Sequence, residues 1–239
     1  MENRDQRHER GGEIMSQIVI QNLNKLYNPN KPNAFYALKN INLSVEEGEI
    51  VILKGVSGSG KSTLLSLLGG LSKPSSGEIL VDAHNIAKLP DIMSSAFRHQ
   101  KIGFIFQSFN LLEGLSVYQN ILAPLALTSL SKEAMHEKVS LAMELANIEH
   151  KKDQNVGSLS GGERQRCAIA RAVVMEPEII LADEPTANLD KENSLMFIEI
   201  LKKFKTLHKT VVIATHDTLF DDLACIDRCV QMRDGELVL

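Results

Sequence analysis

The stretch Gly55-Val-Ser-Gly-Ser-Gly-Lys61-Ser-Thr63 is the strongest indication of the fold of this 239-residue chain. It matches the pattern G-x-x-x-x-G-K-[ST], in which glycines let backbone N–H groups converge on phosphate oxygens. An apolar strand at Glu49–Lys54 precedes the loop, and a Leu- and Ser-rich helix follows it to about Leu71. Because the pattern requires this context, the sequence predicts a phosphate-binding loop rather than a chance Gly/Ser turn. The candidate nucleotide contacts are Gly55, Val56, Ser57, Gly58, Ser59, Gly60, Lys61, Ser62 and Thr63.

Two side chains of this loop carry the expected chemistry. Lys61 is predicted to reach the β- and γ-phosphates, and the hydroxyl of Ser62 is predicted to ligate Mg²⁺. The helix that begins here adds positive potential at its N-terminus, which favours a bound anion. The sequence therefore predicts ATP as the ligand and Mg²⁺ as its cofactor.

A pair of acids follows a later strand of the predicted sheet. The aliphatic run Glu178–Ala182 leads into Asp183 and Glu184. Ligands of open α/β sheets collect at the carboxyl ends of strands, so we expect Asp183 to hold Mg²⁺ through water and Glu184 to act as general base. His216 follows the next buried strand, Thr210–Ala214, where it is placed to orient Glu184 and the attacking water. The alternatives are a solvated acidic turn and a structural histidine.

The order of patterns along the chain predicts an α/β fold with a largely parallel sheet. Gln17–Asn22 and Ile41–Val45 alternate apolar and polar residues, which is typical of strands. Residues 108–158 have helical periodicity and predict an inserted helical subdomain. After Ser160, helices alternate with continuous aliphatic strands, which is typical of a parallel sheet covered on both faces. The polar residues 1–15 predict a disordered tail before a single ATPase domain at 16–239.

Composition narrows the class of protein. The net charge of −4 argues against a nucleic-acid binder, because such proteins usually carry a basic face. The sequence has no apolar run of about 18–20 residues and no apolar N-terminal signal, so we expect a cytoplasmic protein that meets a membrane only through a partner. Three cysteines, Cys167, Cys225 and Cys229, predict no disulfide framework, and we expect buried thiols rather than a zinc site.

The segment Leu159-Ser160-Gly161-Gly162-Glu-Arg-Gln165 cannot form a catalytic site by itself, since it lacks a lysine for phosphate and an acid pair for metal. It does place a serine and two glycines at a helix start, which is a second anion site. The helical insert separates this segment from the phosphate loop of the same chain. We therefore predict a head-to-tail homodimer in which Ser160, Gly161 and Gly162 meet the γ-phosphate held by the other subunit.

Leu159–Gln165 resembles the signature of the ATP-binding cassette (ABC) family, and the resemblance extends from about Gln17 to the end of the chain. It implies a P-loop NTPase fold, with a RecA-like core, an antiparallel β subdomain and an α-helical subdomain, that hydrolyses ATP. Gln107 resembles the Q-loop glutamine that senses Mg²⁺ and the γ-phosphate. Tyr27 resembles the aromatic residue that stacks on adenine, with Tyr36 as a second candidate.

The segment Ala187-Asn-Leu-Asp190 resembles the D-loop of the family, in which Asp190 belongs to the nucleotide site. Ala187 stands where glycine or serine is more frequent, a small departure that does not threaten catalysis. Glu184 and His216 are both present, so the resemblance implies an active rather than a degenerate site.

Within the ABC family, the chain is most similar to the LolD/MacB/FtsE group. The spacer Asn28–Ala37, the segment Phe106–Leu112, the ending Met232–Gly235 and the form of Leu159–Arg166 carry this similarity. It implies an ATPase subunit on the cytoplasmic face of the inner membrane that drives a separate integral-membrane permease, in export or lipoprotein release. An FtsE-like regulatory ATPase and a soluble non-transport ABC ATPase remain alternatives.

The apolar residues after Gln107 suggest where the permease docks. Phe109, Leu111, Leu112 and Leu115 are too apolar for a free loop, so Gln107–Tyr118 is the expected groove for a coupling helix. Packing of these side chains inside the helical insert is the alternative.

Overall fold

The computed structural model describes residues 16–238, so the tail predicted at 1–15 lies outside the described part of the chain. The strands are β1 (Ser16–Tyr27), β2 (Phe35–Glu46), β3 (Ile50–Lys54), β4 (Ser76–Val81), β5 (His84–Asn85), β6 (Ile102–Ile105), β7 (Ile179–Asp183), β8 (Thr210–Thr215), β9 (Arg228–Arg233) and β10 (Glu236–Val238). The α-helices are α1 (Lys61–Leu68), α2 (Asp91–Lys101), α3 (Val117–Leu122), α4 (Lys132–Ala146), α5 (Gly161–Val173) and α6 (Lys191–Thr206).

Six strands form the central sheet in the order β10-β9-β3-β8-β7-β6. All neighbours are parallel except β10, which pairs antiparallel with β9 at one edge. Every residue of β3 and β8 is buried, which explains their continuous aliphatic sequences. β7 lies directly beside β8, with Asp183 opposite Ala214, so the prediction that these two strands are neighbours is confirmed.

A second, antiparallel sheet has the order β2-β1-β4-β5. Its alternating pattern turns one row of apolar side chains, including Ile18, Ile20 and Val45, into a core shared with α1 and β3. α1 contributes Leu64 and Leu68 to that core. The start of α1, at the end of β3, is therefore fixed by packing against both sheets.

Helices α3 and α4 lie within the predicted helical insert. Ser131 caps α4 by accepting a hydrogen bond from the N–H of Ala134. Its buried face, with Val139 and Met143, packs into the same core as Ile169 of α5. The insert thereby rests on the helix that begins at the signature segment.

Helix α2 was not predicted: no helix was expected between the one after the phosphate loop and the insert at 108–158. Met93 and Phe97 recur at a helical spacing in α2, but Ser94 is its one buried residue within the described chain, and Ile92 is 85% exposed. α2 runs through Lys101 and leads directly into β6. The predicted first helix also ends earlier, at Leu68 rather than Leu71, because Gly70 adopts φ +59°.

The cysteine prediction is wrong in part. Cys167 is buried in α5, but Cys225 is only partly buried, in a turn, and Cys229 is exposed on β9. β9 lies next to the edge of the sheet, where alternate side chains reach solvent. Separately, none of the helices found in 16–238 has both the length and the apolar character needed to cross a bilayer.

Candidate nucleotide site

A cleft of about 590 Å³ opens where the carboxyl end of β3 meets the rim of the antiparallel sheet. It is lined by Tyr27, Phe35, Tyr36, Ala37, Lys39, Ser57, Gly58, Ser59, Gly60, Lys61, Ser62, Thr63, Gln107, Glu184, His216, Asp234 and Gly235. Residues far apart in sequence thus line one cleft. Gly55 and Val56 are not among its lining residues.

The phosphate loop takes its shape from two glycines with backbones in the left-handed region. Gly58 has φ +83° and Gly60 has φ +104°. A Cβ on Gly60 would lie 2.7 Å from the carbonyl oxygen of Ala37, so a side chain here would collide with β2. α1 begins immediately afterwards at Lys61, and no side chain in 16–238 caps its first turn. Its N-terminal N–H groups are therefore available to an anion.

Lys61 is folded back onto its own loop. Its Nζ donates hydrogen bonds to the carbonyl oxygens of Gly55 at 2.7 Å and Val56 at 3.2 Å. It also lies 3.6 Å from Glu184 Oε1, and the lysine side chain is only 5% exposed. The ammonium group is thereby held at the floor of the cleft, next to the acid pair.

Ser62 and Asp183 meet across the cleft floor, where the Ser62 hydroxyl donates a 2.9 Å hydrogen bond to Asp183 Oδ1. Burial raises the pKa of Asp183, and the nearby charge of Glu184 raises it further, while Ser62 and Lys61 act in the opposite direction. The oxygen atoms of Ser62 and Asp183 are hard ligands, and the carboxylates of Asp183 and Glu184 outnumber the nearby cation of Lys61. The cluster therefore fits a divalent cation such as Mg²⁺.

Glu184 is held at the end of β7 by three contacts. Its carboxylate accepts hydrogen bonds from the Thr215 hydroxyl at 3.1 Å and from His216 Nδ1 at 3.0 Å. Its backbone adopts φ +45° and its N–H donates to the carbonyl oxygen of Ala214. Left-handed backbones in residues other than glycine are concentrated at functional sites. The aligned ends of β7 and β8 thus bring Glu184 and His216 together.

Gln107 lines the cleft from the loop after β6. Asn188, in the predicted D-loop, donates a hydrogen bond to the Gln107 carbonyl oxygen at 3.3 Å. The Q-loop and the D-loop segments are therefore in contact within one chain.

Aromatic residues from β1 and β2 also line the cleft. Tyr27 stacks on Phe35 with ring centroids 5.5 Å apart and an interplanar angle of 29°. Tyr27 is half-buried, whereas Phe35 and Tyr36 are each about half exposed. Both tyrosines proposed for the adenine therefore line the cleft, and Phe35 is a third aromatic that the sequence did not single out.

The signature segment does not line the cleft of its own chain. Ser160 caps α5 and forms a reciprocal capping box with Glu163. Gly162 packs so tightly on α6 that a Cβ there would lie 2.0 Å from Asn193 Oδ1, whereas a Cβ on Gly161 would have 3.4 Å to its nearest atom. Asp190 caps α6 and is also outside the cleft. The sequence-predicted residues thus divide into a cleft set and a separate surface set.

Replacing Glu163 with alanine is expected to lower the free energy of unfolding by about 1 kcal/mol at neutral pH, since half of the capping box is lost. Hydrogen bonding from Ser160 N–H lowers the pKa of Glu163 from 4.5 to about 2. A pKa depressed in the folded state gives stability that is present above pH 4.5 and is lost as the pH falls towards 2. Denaturant unfolding of both proteins across this range measures the difference, and a gap that does not shrink in acid contradicts the prediction.

Several cleft residues were missed by sequence reasoning. Ala37 and Lys39 come from β2, and Asp234 and Gly235 come from the turn between β9 and β10. The sequence reasoning used Asp234-Gly235 only as a mark of the subgroup. The backbone N–H of Gly235 donates to the carbonyl oxygen of Ser59, which draws this turn onto the phosphate loop.

Known proteins share these features. Residues 38–187 match the family model described as ABC transporter. The lipoprotein-releasing system ATP-binding protein LolD of Pseudoalteromonas translucida is 38% identical over 228 residues, covering 94% of this chain and 97% of LolD. The macrolide export ATP-binding/permease protein MacB of Chlorobium luteolum is 40% identical over 203 residues, covering 84% of this chain and 30% of MacB.

A solved structure gives the same result for the fold. The ATP-binding cassette MJ0796 of Methanocaldococcus jannaschii, a dimer in a post-hydrolysis state bound to ADP and Pi, matches with a TM-score of 0.86 at 37% identity. The match covers 93% of this chain and 97% of that chain. The fold and the cleft define an ATP-binding, ATP-hydrolysing cassette. The chain belongs to the ABC transporter family, as one of its ATPases.

Proposed function

We propose that this chain is the ATPase subunit of a LolD/MacB-type transporter, which closes as a homodimer on ATP and drives a separate integral-membrane permease in export or lipoprotein release. The observation that carries the proposal is the division of the site. One cleft holds the phosphate loop, Gln107, Glu184 and His216, while the signature glycines lie on another surface of the same chain. A second copy, oriented head to tail, supplies what the first lacks.

Hydrolysis needs an activated water beside the γ-phosphate. Glu184 is the general base, and His216 and Thr215 fix its carboxylate in the cleft. Because an ionised carboxylate only accepts hydrogen bonds, the Nδ1 atom of His216 carries the proton in this pair. Lys61 exchanges its contacts with the loop carbonyls for the β- and γ-phosphates of ATP.

Mg²⁺ fits the oxygen atoms that converge at the cleft floor. Ser62 would ligate the ion directly, Asp183 would hold it through water, and Gln107 would reach it from the loop after β6. Bound Mg²⁺ neutralises negative charge on the phosphates. The 2.9 Å contact between Ser62 and Asp183 supports this assignment, because it brings the two oxygen donors to one point.

The position of the signature segment, outside the cleft of its own chain, supports the dimer. Ser160, Gly161 and Gly162 are the contacts to the γ-phosphate bound by the partner, with Asp190 beside them. The MJ0796 cassette, which is similar over 93% of this chain, forms a dimer, and this supports the same arrangement here.

A groove of about 310 Å³ beside the Q-loop supports a permease partner. It is lined by His99, Phe104, Phe106, Asn110, Arg171 and Met175, among others. Phe104 and Phe106 stack with centroids 4.1 Å apart and present an apolar wall. The four apolar residues expected to form a docking groove do not line this one: among them, Leu111 packs on the core and Leu112 is 47% exposed. Docking here would hold the chain at the cytoplasmic face of the inner membrane.

Co-purification tests the partner directly. The Glu184→Gln variant, expressed in the native host and solubilised from membranes with Mg-ATP present, is expected to retain an integral-membrane permease, with Lys61→Ala as the nucleotide-free control. Recovery with ribosomes, DNA or the soluble fraction alone contradicts the proposal and favours a soluble ATPase. Recovery with a membrane protein that controls cell-wall hydrolases identifies the FtsE-like alternative.

Tyr27→Ala is expected to weaken ATP binding by about 1–3 kcal/mol, because the adenine loses its stacking partner. Tyr27→Phe keeps the ring and is expected to bind as the wild type does. Fluorescence titration with an ATP analogue measures both. If Tyr36→Ala has the larger effect, adenine stacks on Tyr36 instead.

A further inference from the structure

The loop after Gln107 has an unfavourable backbone. Phe109 has φ +60° and Asn110 has φ +50°, so two consecutive residues are left-handed. Asparagine tolerates this region, but a bulky aromatic residue rarely adopts it. Something outside the loop must therefore impose the conformation.

Arg171, on the fourth turn of α5, makes that contact. Its Nη1 donates a 2.5 Å hydrogen bond to the Asn110 carbonyl oxygen, and its Nη2 donates a 2.7 Å bond to the Phe109 carbonyl oxygen. Both terminal nitrogens of the Arg171 guanidinium thus donate to the carbonyl oxygens of the two left-handed residues. No carboxylate in 16–238 forms an ion pair with Arg171, and burial lowers the pKa of its guanidinium. A half-buried arginine committed to two backbone carbonyls is an uncommon arrangement, because burying a charge without an ion pair costs free energy.

The loop is also held from the other side. Asn188 donates to the Gln107 carbonyl oxygen, and the N–H of Phe109 donates to the carbonyl oxygen of Phe106. Gln107 therefore lies between an anchor on the D-loop segment and an anchor on the helix that begins with the signature. Arg171 also lines the groove proposed for the permease, beside Phe104 and Phe106.

We propose that Arg171 is a positioning residue that holds Gln107 in the nucleotide cleft by clamping the Phe109 and Asn110 carbonyls. The proposal rests on the function proposed above for Gln107. It links the docking groove, the signature helix and the cleft through one side chain. A group seated in the groove against Arg171 changes the clamp and thereby moves Gln107, while the phosphate loop is untouched.

A mutant cycle tests this with the full-length chain. Arg171→Met keeps the apolar stem and removes the donors. It is expected to lower kcat for ATP hydrolysis about 10- to 100-fold, with ATP Kd within about twofold of the wild-type value, since misplacement of a positioning group acts mainly on the chemical step. In a Gln107→Ala background the same substitution is expected to have no further effect on kcat. Arg171→Lys, which can reach one carbonyl, is expected to be intermediate and serves as the test if Arg171→Met does not fold.

Arg98→Met is the matched control, because Arg98 also donates to a backbone carbonyl, that of Gly70, away from the cleft. An unchanged kcat in Arg171→Met, or an equal loss in the Gln107→Ala background, overturns the inference and leaves the proposed function intact. A normal kcat for Gln107→Ala alone overturns both this inference and the role of Gln107.

Discussion

Replacing Glu184 with glutamine is expected to lower kcat at least about 100-fold while ATP affinity stays within about twofold of the wild-type value. Glutamine has the same shape and still accepts from Thr215 or His216, but it cannot take a proton from water. ATP therefore binds and remains uncleaved. The closed state accumulates, and the variant is expected to sediment in Mg-ATP at twice the 26.4 kDa mass of one chain.

Analytical ultracentrifugation with bound-nucleotide analysis measures mass and cleavage together. Glu178→Gln is the control, because it makes the same change directly before the first residue of β7. The exposed Glu178 carboxylate pairs with Lys101, and this variant is expected to leave kcat unchanged. A Glu184→Gln variant that hydrolyses ATP at the wild-type rate would show that another group is the base.

Lys61→Ala is expected to weaken ATP binding by about 2–3 kcal/mol, or about 30- to 150-fold, and to abolish hydrolysis at cellular ATP concentrations. The loss is large because Lys61 is buried and each of its bonds to phosphate is charge-assisted. Removing it also leaves the Glu184 carboxylate without its nearby cation, which adds repulsion to an incoming polyphosphate.

Isothermal titration with a non-hydrolysable ATP analogue gives the affinity of Lys61→Ala directly. Lys202→Ala is the control, since Lys202 is an exposed residue of α6 paired with Glu199. Unchanged affinity in Lys61→Ala would remove the phosphate-loop assignment, whatever the rate of hydrolysis.

The sequence predicts the centre of the cleft because strand ends determine it. Gly55–Thr63 follows β3, Asp183 and Glu184 complete or follow β7, and His216 follows β8. Parallel strands place their carboxyl ends at one edge, so adjacency of β3, β8 and β7 is enough to bring these side chains together. Their roles in hydrolysis remain predictions that the variants above test.

The rim of the cleft could not be predicted in the same way. Phe35 and Asp234 come from the antiparallel sheet and from the β9–β10 turn, and their positions depend on how these parts pack on the phosphate loop. Arg171 has an ordinary helical context in the sequence, and only the turn of the Q-loop reveals its two carbonyl partners. Cys229 was expected to be buried, but it is exposed on β9, the strand next to the edge of the sheet.

Gly161→Glu in the Glu184→Gln background tests whether the signature of one chain completes the cleft of another. Gly161 is exposed and has room for a side chain in its own chain, so the new carboxylate leaves the fold and the cleft unchanged. In the dimer it would face the γ-phosphate and repel it. We expect the double variant to bind one ATP per chain and to sediment as a monomer. A dimer of undiminished stability in Mg-ATP would contradict the shared site.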